Sequence, residues 1–314
     1  PFLICLPGKN GIQGINGFLG VLLAVILLLA DVFVLLRVTG GYSDMVRFFG
    51  GFWGRAVGIF FLIYVIFTAV YLLKILGKIV PRWLLMGISP GWLIFGAVVV
   101  CSAGTDRGVQ RRGRMAEVSG GVFLLVILLM MLLCLGQVRN VYFYEMIEKE
   151  IISGKGIIRN GYYFLCGLSG IGLLPFIMRD VERRGSAGKT IIAALLTVGG
   201  IIAGILFLLP AVLGWKRFLS EDYPILPLLA GADLPGNVLA RFDVLWMGFL
   251  LYSLLFSAGS LLHYGHLIVE KTEIGTGRVW ISLLVFTVMV LKAGNVGIRD
   301  YFEPYLEVIF VPGM

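Results

Sequence analysis

Between Tyr162 and Met178 the chain is apolar over the depth of a bilayer, yet it cannot cross one as an unbroken helix. Gly167, Ser169, Gly170 and Gly172 crowd into the middle of this stretch, and Pro175 follows them. Glycine loses the most backbone freedom in a helix, and proline both lacks an N–H and clashes with the preceding turn. In lipid a backbone group released from its helix is costly unless protein or a wet cavity satisfies it. Two arrangements meet that demand. One is a discontinuous helix that binds a solute or ion near mid-membrane. The other is a glycine-lined face that lets a neighbouring helix approach closely. The segment alone leaves both open.

The rest of the chain calls for the same solvent. Of its 314 residues, 59% are hydrophobic and only 14% charged, well below the share usual in soluble domains. A spanning helix needs about 20 apolar residues. Full spans are expected at Ile15–Leu36, Ala56–Val80, Leu84–Ser102, Val118–Gly136, Gly161–Met178, Ile191–Trp215, Phe242–Val269 and Val279–Leu291. The last is short and reaches the interfaces if Arg278 and Lys292 snorkel. Pro1–Leu6 and Tyr305–Val311 read as partial spans, so both ends are expected to be truncated and the parent to have ten spans. The expected fold class is therefore an all-α integral membrane protein, with residues 1–314 forming a single transmembrane domain.

The connections set an expected topology. Gly104–Glu117 carries Arg107, Arg111, Arg112 and Arg114, and Arg179–Lys189 carries Arg179, Arg183, Arg184 and Lys189. Two spans separate these basic loops, which places both on one side, and the positive-inside rule makes that side cytoplasmic. On the external side, Gln137–Asn160 carries Glu145, Glu148, Lys149 and Glu150 and is expected to hold a short surface helix. Lys216–Ala240 is apolar but too rich in proline to span, so a folded cap or hairpin over the external face is expected. The net charge of +8 reflects these loops. No basic stripe interleaved with aromatics points to nucleic acid.

Few charges fall within the spans. Asp31 is a functional candidate by position; the alternative is a hydrated or paired carboxylate near the cytoplasmic end, with Arg37 as one partner. Lys74 and Lys78 stand one turn apart and read as snorkelling boundary residues. His263 and His266 share a helix face, and a hydrated cytoplasmic end is the favoured reading. No metal site is expected, because further ligands are lacking. Cys5, Cys101, Cys134 and Cys166 form no CxxC pair and read as small packing residues. Enzyme chemistry is not expected either. Gly167–Gly170 is not a nucleophile elbow, and Gly185–Thr190 lacks the first glycine of a phosphate loop, Arg183 standing in its place. No catalytic residue and no cofactor is expected.

Several stretches in order resemble the B subunit of spore germinant receptors, the GerAB-type spore permeases of the amino acid–polyamine–organocation superfamily. Asp222–Leu229 (DYPILPLL) followed by Val238–Trp246 (VLARFDVLW) is similar to the family's Tyr-Pro-Thr pattern and later Glu-Arg-Leu-Asp-Ala, with Ile225 in place of the Thr and Ala240 in place of the Glu. Arg241 and Asp243 match the family's Arg and Asp. Leu6–Pro7 resembles the Leu-Pro after the broken first helix, and Ala69–Lys74 (AVYLLK) the pattern of the third. Phe164–Pro175 lies where the broken sixth helix falls, though the family's usual Phe-Pro-Phe-Gly is absent.

The resemblance implies a LeuT-type fold of five-helix inverted repeats, with a ligand site between the broken first and sixth helices, completed by the third and eighth. It implies an amino-acid germinant, the spore inner membrane as location, and two partners: a larger membrane A subunit and a C-subunit lipoprotein. The candidate site is then Gly167, Leu168, Ser169, Gly170, Ile171 and Gly172 in the break. Thr68, Tyr71 and Tyr64 join it from the third helix, and Ser253, Ser257 and Tyr252 from the eighth. Free N–H groups would hold a carboxylate and released carbonyls an ammonium. An active amino-acid or amine permease, and a scaffold subunit with a vestigial site, are the competing readings.

Overall fold

The computed structural model describes residues 12–37, 51–83, 87–103, 109–177, 181, 184–221, 223–230 and 242–272. Among these the regular elements are helical: α1 (Gly14–Arg37), α2 (Gly51–Trp83), α3 (Pro90–Ala103), α4 (Val109–Leu135), α5 (Asn140–Lys149), α6 (Gly154–Gly167), α7 (Arg184–Leu213), α8 (Trp215–Ser220), α9 (Ile225–Ala230) and α10 (Phe242–Thr272). A 3-10 segment, Ser169–Phe176, follows α6. Among the described residues five helices are long and apolar enough to cross a membrane: Gly14–Arg37, Gly51–Pro81, Gln110–Leu135, Ser186–Leu213 and Met247–Glu270. Pro90–Ser102 is a shorter apolar helix. The chain forms two compact units interleaved in sequence. Pro1–Thr39, Gly120–Gly170 and Val181–Trp246 make the first, and Gly40–Ser119, Ile171–Asp180 and Met247–Met314 the second.

In the first unit α1 packs against α6 and α7. Its buried residues Gly17, Gly20, Val21, Ala24, Leu28 and Val32 recur every three or four positions, which puts them on one face. Leu22, Leu23, Ile26, Leu27 and Phe33 are exposed, as lipid-facing residues would be. The contacts fix direction as well as proximity. A Cβ built on Gly188 would meet Leu36, and one on Gly199 would meet Val25; the Phe18 and Phe207 rings lie 5.0 Å apart. Rising numbers on α7 pair with falling numbers on α1, so the two run antiparallel. Against α6 the order is the opposite: Asn16 faces Gly156 and Gly20 faces Gly161, so α1 and α6 run parallel.

The span expected at Leu84–Ser102 is the shorter apolar helix α3, 14 residues long.

The N-termini of α1 and α6 are held together by one carboxylate and one amide. Glu150 Oε2 accepts from the Ile15 amide at 2.5 Å, and its Oε1 accepts from the Asn16 amide at 3.0 Å and from Asn16 Nδ2 at 2.9 Å. Asn16 Nδ2 also donates to the Ile151 carbonyl, and Asn16 Oδ1 accepts from the Ser153 amide. Ser153 caps α6 by accepting from the Gly156 amide at 3.0 Å. A negative group on free N–H groups at a helix start satisfies both the orphan donors and the dipole. The positive φ of Gly14 leaves room for that carboxylate, which a Cβ there would strike. At the far end of α7, Gly214 (φ +82°) turns the chain into α8, which packs with α5. The Arg139 amide donates to the Ala211 carbonyl at 3.0 Å, tying the start of α5 to α7.

In the second unit α2 packs on α3 through a turn at Gly87, whose φ of +96° favours glycine. Pro90 opens α3, where its missing N–H costs nothing. Ile94 lies against Gly77, where a Cβ would stand 2.8 Å from its side chain. Along α10, Met247, Leu250, Leu254, Ala258, Leu261 and Ile268 form a buried stripe at helical spacing.

α1, α2 and α10 overrun the spans expected from hydropathy, and α4 and α7 start before them, whereas α3 is shorter. Arg111, Arg112 and Arg114 ride on the first turns of α4, and Arg184 and Lys189 on those of α7, not in loops. Hydropathy marks lipid contact, while arginine and lysine propagate a helix well beyond it. The α6 span starts at Gly154, because Ser153 caps it there, and the α7 span ends before Trp215, because Gly214 turns. The surface helix expected within Gln137–Asn160 is α5, and α8 and α9 fold onto α7 in place of a span. Arg37 lies over the Phe33 ring at 4.3 Å rather than pairing with the exposed Asp31. His263 is buried, not hydrated, since α10 continues nine residues beyond it to Thr272. Val279–Leu291, the two partial spans, Arg241 and the Asp243 side chain lie outside the described residues.

Candidate functional site

The interruption falls where the glycines predict it. α6 stops at Gly167, and the Leu168 amide donates to both Phe164 and Leu165 carbonyls as the α pattern tightens. Eight residues of 3-10 helix follow, in a geometry that seldom persists past three or four and that often marks a functional hinge. Pro175 lies inside that segment. In 3-10 pairing the Gly172 carbonyl takes its hydrogen bond from residue 175, and proline has no N–H to give. The Gly172 carbonyl therefore lacks its 3-10 donor.

Gly170 is exposed, and a Cβ built on it would meet nothing within 4 Å. Among the described residues no helix packs against it. Close helix packing belongs to Gly20 and Gly161, where a Cβ on Gly20 would stand 2.6 Å from the Gly161 nitrogen and one on Gly161 would stand 3.0 Å from the Gly20 oxygen. The close approach thus falls nine residues before Gly170, inside α6. Leu168, Ile171 and Gly172 are half-buried.

Within the second unit the lower half of the break is anchored to α2. Phe176 is 1% exposed, and its ring meets Phe61 edge to face, centroids 5.4 Å apart. Phe61, Tyr64, Thr68 and Tyr71 follow at helical spacing. Tyr64 and Thr68 are buried, and the Thr68 hydroxyl donates to the Tyr64 carbonyl at 2.8 Å, leaving its lone pairs as acceptors. Tyr71 is half-buried. On α10, Tyr252, Ser253 and Ser257 are half-buried, and Tyr252 stacks on Phe256 at 5.9 Å. Ser253 and Ser257 face the same way four residues apart.

Sequence reasoning did not single out three groups. Phe61 and Phe176 anchor the break, Glu150 clasps α1, and Arg112 turns inward onto α10. An arginine among arginines and a carboxylate in an acidic loop carry no local mark of such roles, and their partners lie more than a hundred residues away. Among the described residues no group of His, Cys, Asp and Glu could hold a metal ion.

Five described helices of bilayer length, and a shorter one that passes into 3-10 backbone, are those of a polytopic helical membrane protein. The chain belongs to the spore permease family: a family model described as spore germination protein matches residues 3–293. No curated protein matches the chain.

Proposed function

We propose that this integral membrane protein of spore germination is the ligand-sensing subunit of a germinant receptor, taking a small nutrient, an amino acid, at the break after α6. The observation that carries this reading is Gly170: in interrupted backbone, exposed, with open space where a side chain would project. Glycines in regular helix, such as Gly96 and Gly200, also meet nothing within 4 Å, so it is the open space together with the 3-10 backbone that supports a ligand here. N–H groups around Gly167–Gly172 take the carboxylate, and the Gly172 carbonyl accepts from the ammonium. Ser169, Thr68, Tyr71, Tyr64, Tyr252, Ser253 and Ser257 supply hydroxyls. The ligand favours one helix arrangement in proportion to its differential affinity. A membrane A subunit and a C-subunit lipoprotein in the spore inner membrane read the shift.

The grouping of helices supports a LeuT-type repeat. Counting from a broken first helix, α1 and α7 are the second and seventh, and α2 and α10 the third and eighth. Helices five apart fall in the same unit, and α1 and α7 run antiparallel, as an inverted repeat requires.

The test is germination of spores carrying the full-length gene with Gly170→Leu or Ser253→Ala, scored across single amino acids. The expected outcome is a loss of potency for one amino acid of at least about tenfold, the factor carried by one lost hydrogen bond to a charged group. Unchanged potency at normal protein level would remove the site. Amino-acid flux into proteoliposomes without partner subunits would favour the permease reading.

A further inference from the structure

Three arginines sit within four residues at the start of α4, and one behaves differently. Arg111 and Arg114 are exposed, whereas Arg112 is half-buried. The positive-inside rule explains charge at a cytoplasmic helix end, but not the burial of one guanidinium among three. The position is also a poor one for a cation, since the first turns of a helix carry the positive end of the dipole. Something on the neighbouring helix must offset both costs.

That neighbour is α10, in the same compact unit as this end of α4. Arg112 Nη1 donates to Ser260 Oγ at 3.2 Å, and Ser260 in turn donates to the Phe256 carbonyl at 2.7 Å. Gly259 makes the space: a Cβ there would stand 3.3 Å from Nη1 and 3.4 Å from Nη2. One turn earlier, Cys101 of α3 donates through its Sγ to the Leu255 carbonyl at 3.4 Å. Cys101 is 4% exposed, and the Arg112 guanidinium lies near enough to interact with its thiol. Three helices are therefore tied at one level of α10. Ser253, Ser257 and Ser260 lie three and four residues apart, so they form a hydroxyl stripe along one face. Arg112 stands at the end of that stripe nearer the basic, cytoplasmic side.

We propose that Arg112 is a bolt: its guanidinium pins α4 to α10 at Gly259–Ser260 and closes the cytoplasmic end of the hydroxyl stripe to water. It is a positioning residue, acting on the access to α10 rather than on any ligand. The idea does not depend on what binds at the break. Opening toward the cytoplasm requires the Arg112–Ser260 hydrogen bond to part, and Cys101 behind it is then wetted.

Cys101 is its own reporter. The full-length protein, with Cys5 and Cys166 replaced by alanine, is treated in inside-out membrane vesicles with a membrane-impermeant maleimide, and Cys101 and Cys134 are followed separately. Arg112→Ala is expected to raise the rate of Cys101 modification about tenfold, the factor carried by one lost hydrogen bond to a charged group. Cys134, buried near the far end of α4, should not change. Ser260→Ala, which keeps the cation, should give a smaller rise in the same direction. Arg112→Lys should restore most of the protection. Unchanged Cys101 reactivity in Arg112→Ala would overturn the proposal. So would a parallel rise at Cys134, because the arginine would then merely hold the fold together.

Discussion

Two glycine-rich regions of the same helical run make opposite use of the residue. At Gly161 the missing side chain is filled by another backbone, with Gly20 of α1 close enough that no Cβ fits. At Gly170 it is filled by nothing described, and the helix has already given way to 3-10 geometry. The first is the close approach that small residues permit between membrane helices. The second is where the proposed ligand would sit. Glycine content alone could not distinguish them. What distinguishes them is whether a neighbour stands where the Cβ would be.

Substitution at the contact should have the largest effect. Gly161→Leu must push aside backbone rather than a flexible side chain. Overpacking that moves only side chains costs about 1–3 kcal/mol, so a loss of at least about 3 kcal/mol is expected here. Thermal unfolding of the purified protein and the yield of monodisperse material from membranes measure it. A Gly161→Leu protein as stable as the parent would show that the contact is dispensable, and the contrast with Gly170 would collapse.

The clasp at the start of the same helix ranks next. Glu150→Ala removes the acceptor of the Ile15 and Asn16 amides and one of the two acceptors of Asn16 Nδ2. Hydrogen bonds to a charged group contribute about 1.5–3 kcal/mol, and a loss in that range is expected. Faster hydrogen exchange at the Ile15 and Asn16 amides, with α10 unaffected, would place the loss at the clasp. Equal exchange in both proteins would mean that water replaces the carboxylate at no cost. The clasp fixes the first turns of α6, which bring Gly161 to Gly20.

How far these regions can be read from sequence follows from what each depends on. Hydropathy located α1, α2, α4, α7 and α10, because lipid contact is a property of composition over twenty residues. The break was legible for a similar reason: four small residues and a proline fail as a helix whatever surrounds them. Helix ends were less so. Arg111, Arg112, Arg114 and Arg184 read as loop because they are charged, yet charge ends the lipid-facing span without ending the helix. Glu150 and Arg112 were opaque, since their partners at Asn16 and Ser260 are distant in sequence. The burial of His263 depends on how far α10 continues, which its neighbours in sequence do not reveal.

The smallest expected effect on stability is also the most informative. Gly170→Leu adds a side chain where nothing is met within 4 Å, and substitutions away from packing or special backbone usually stay within about 0.5 kcal/mol. The purified Gly170→Leu protein should therefore unfold at the temperature of the parent, while spores carrying it lose germinant potency. The two readouts separate what either alone would confuse. A drop in both stability and potency would assign Gly170 to packing, like Gly161, against a surface outside the described residues. Unchanged stability with unchanged potency would leave the space real but without a ligand. Only a stable protein with a weakened response fits a glycine that leaves room for something other than protein.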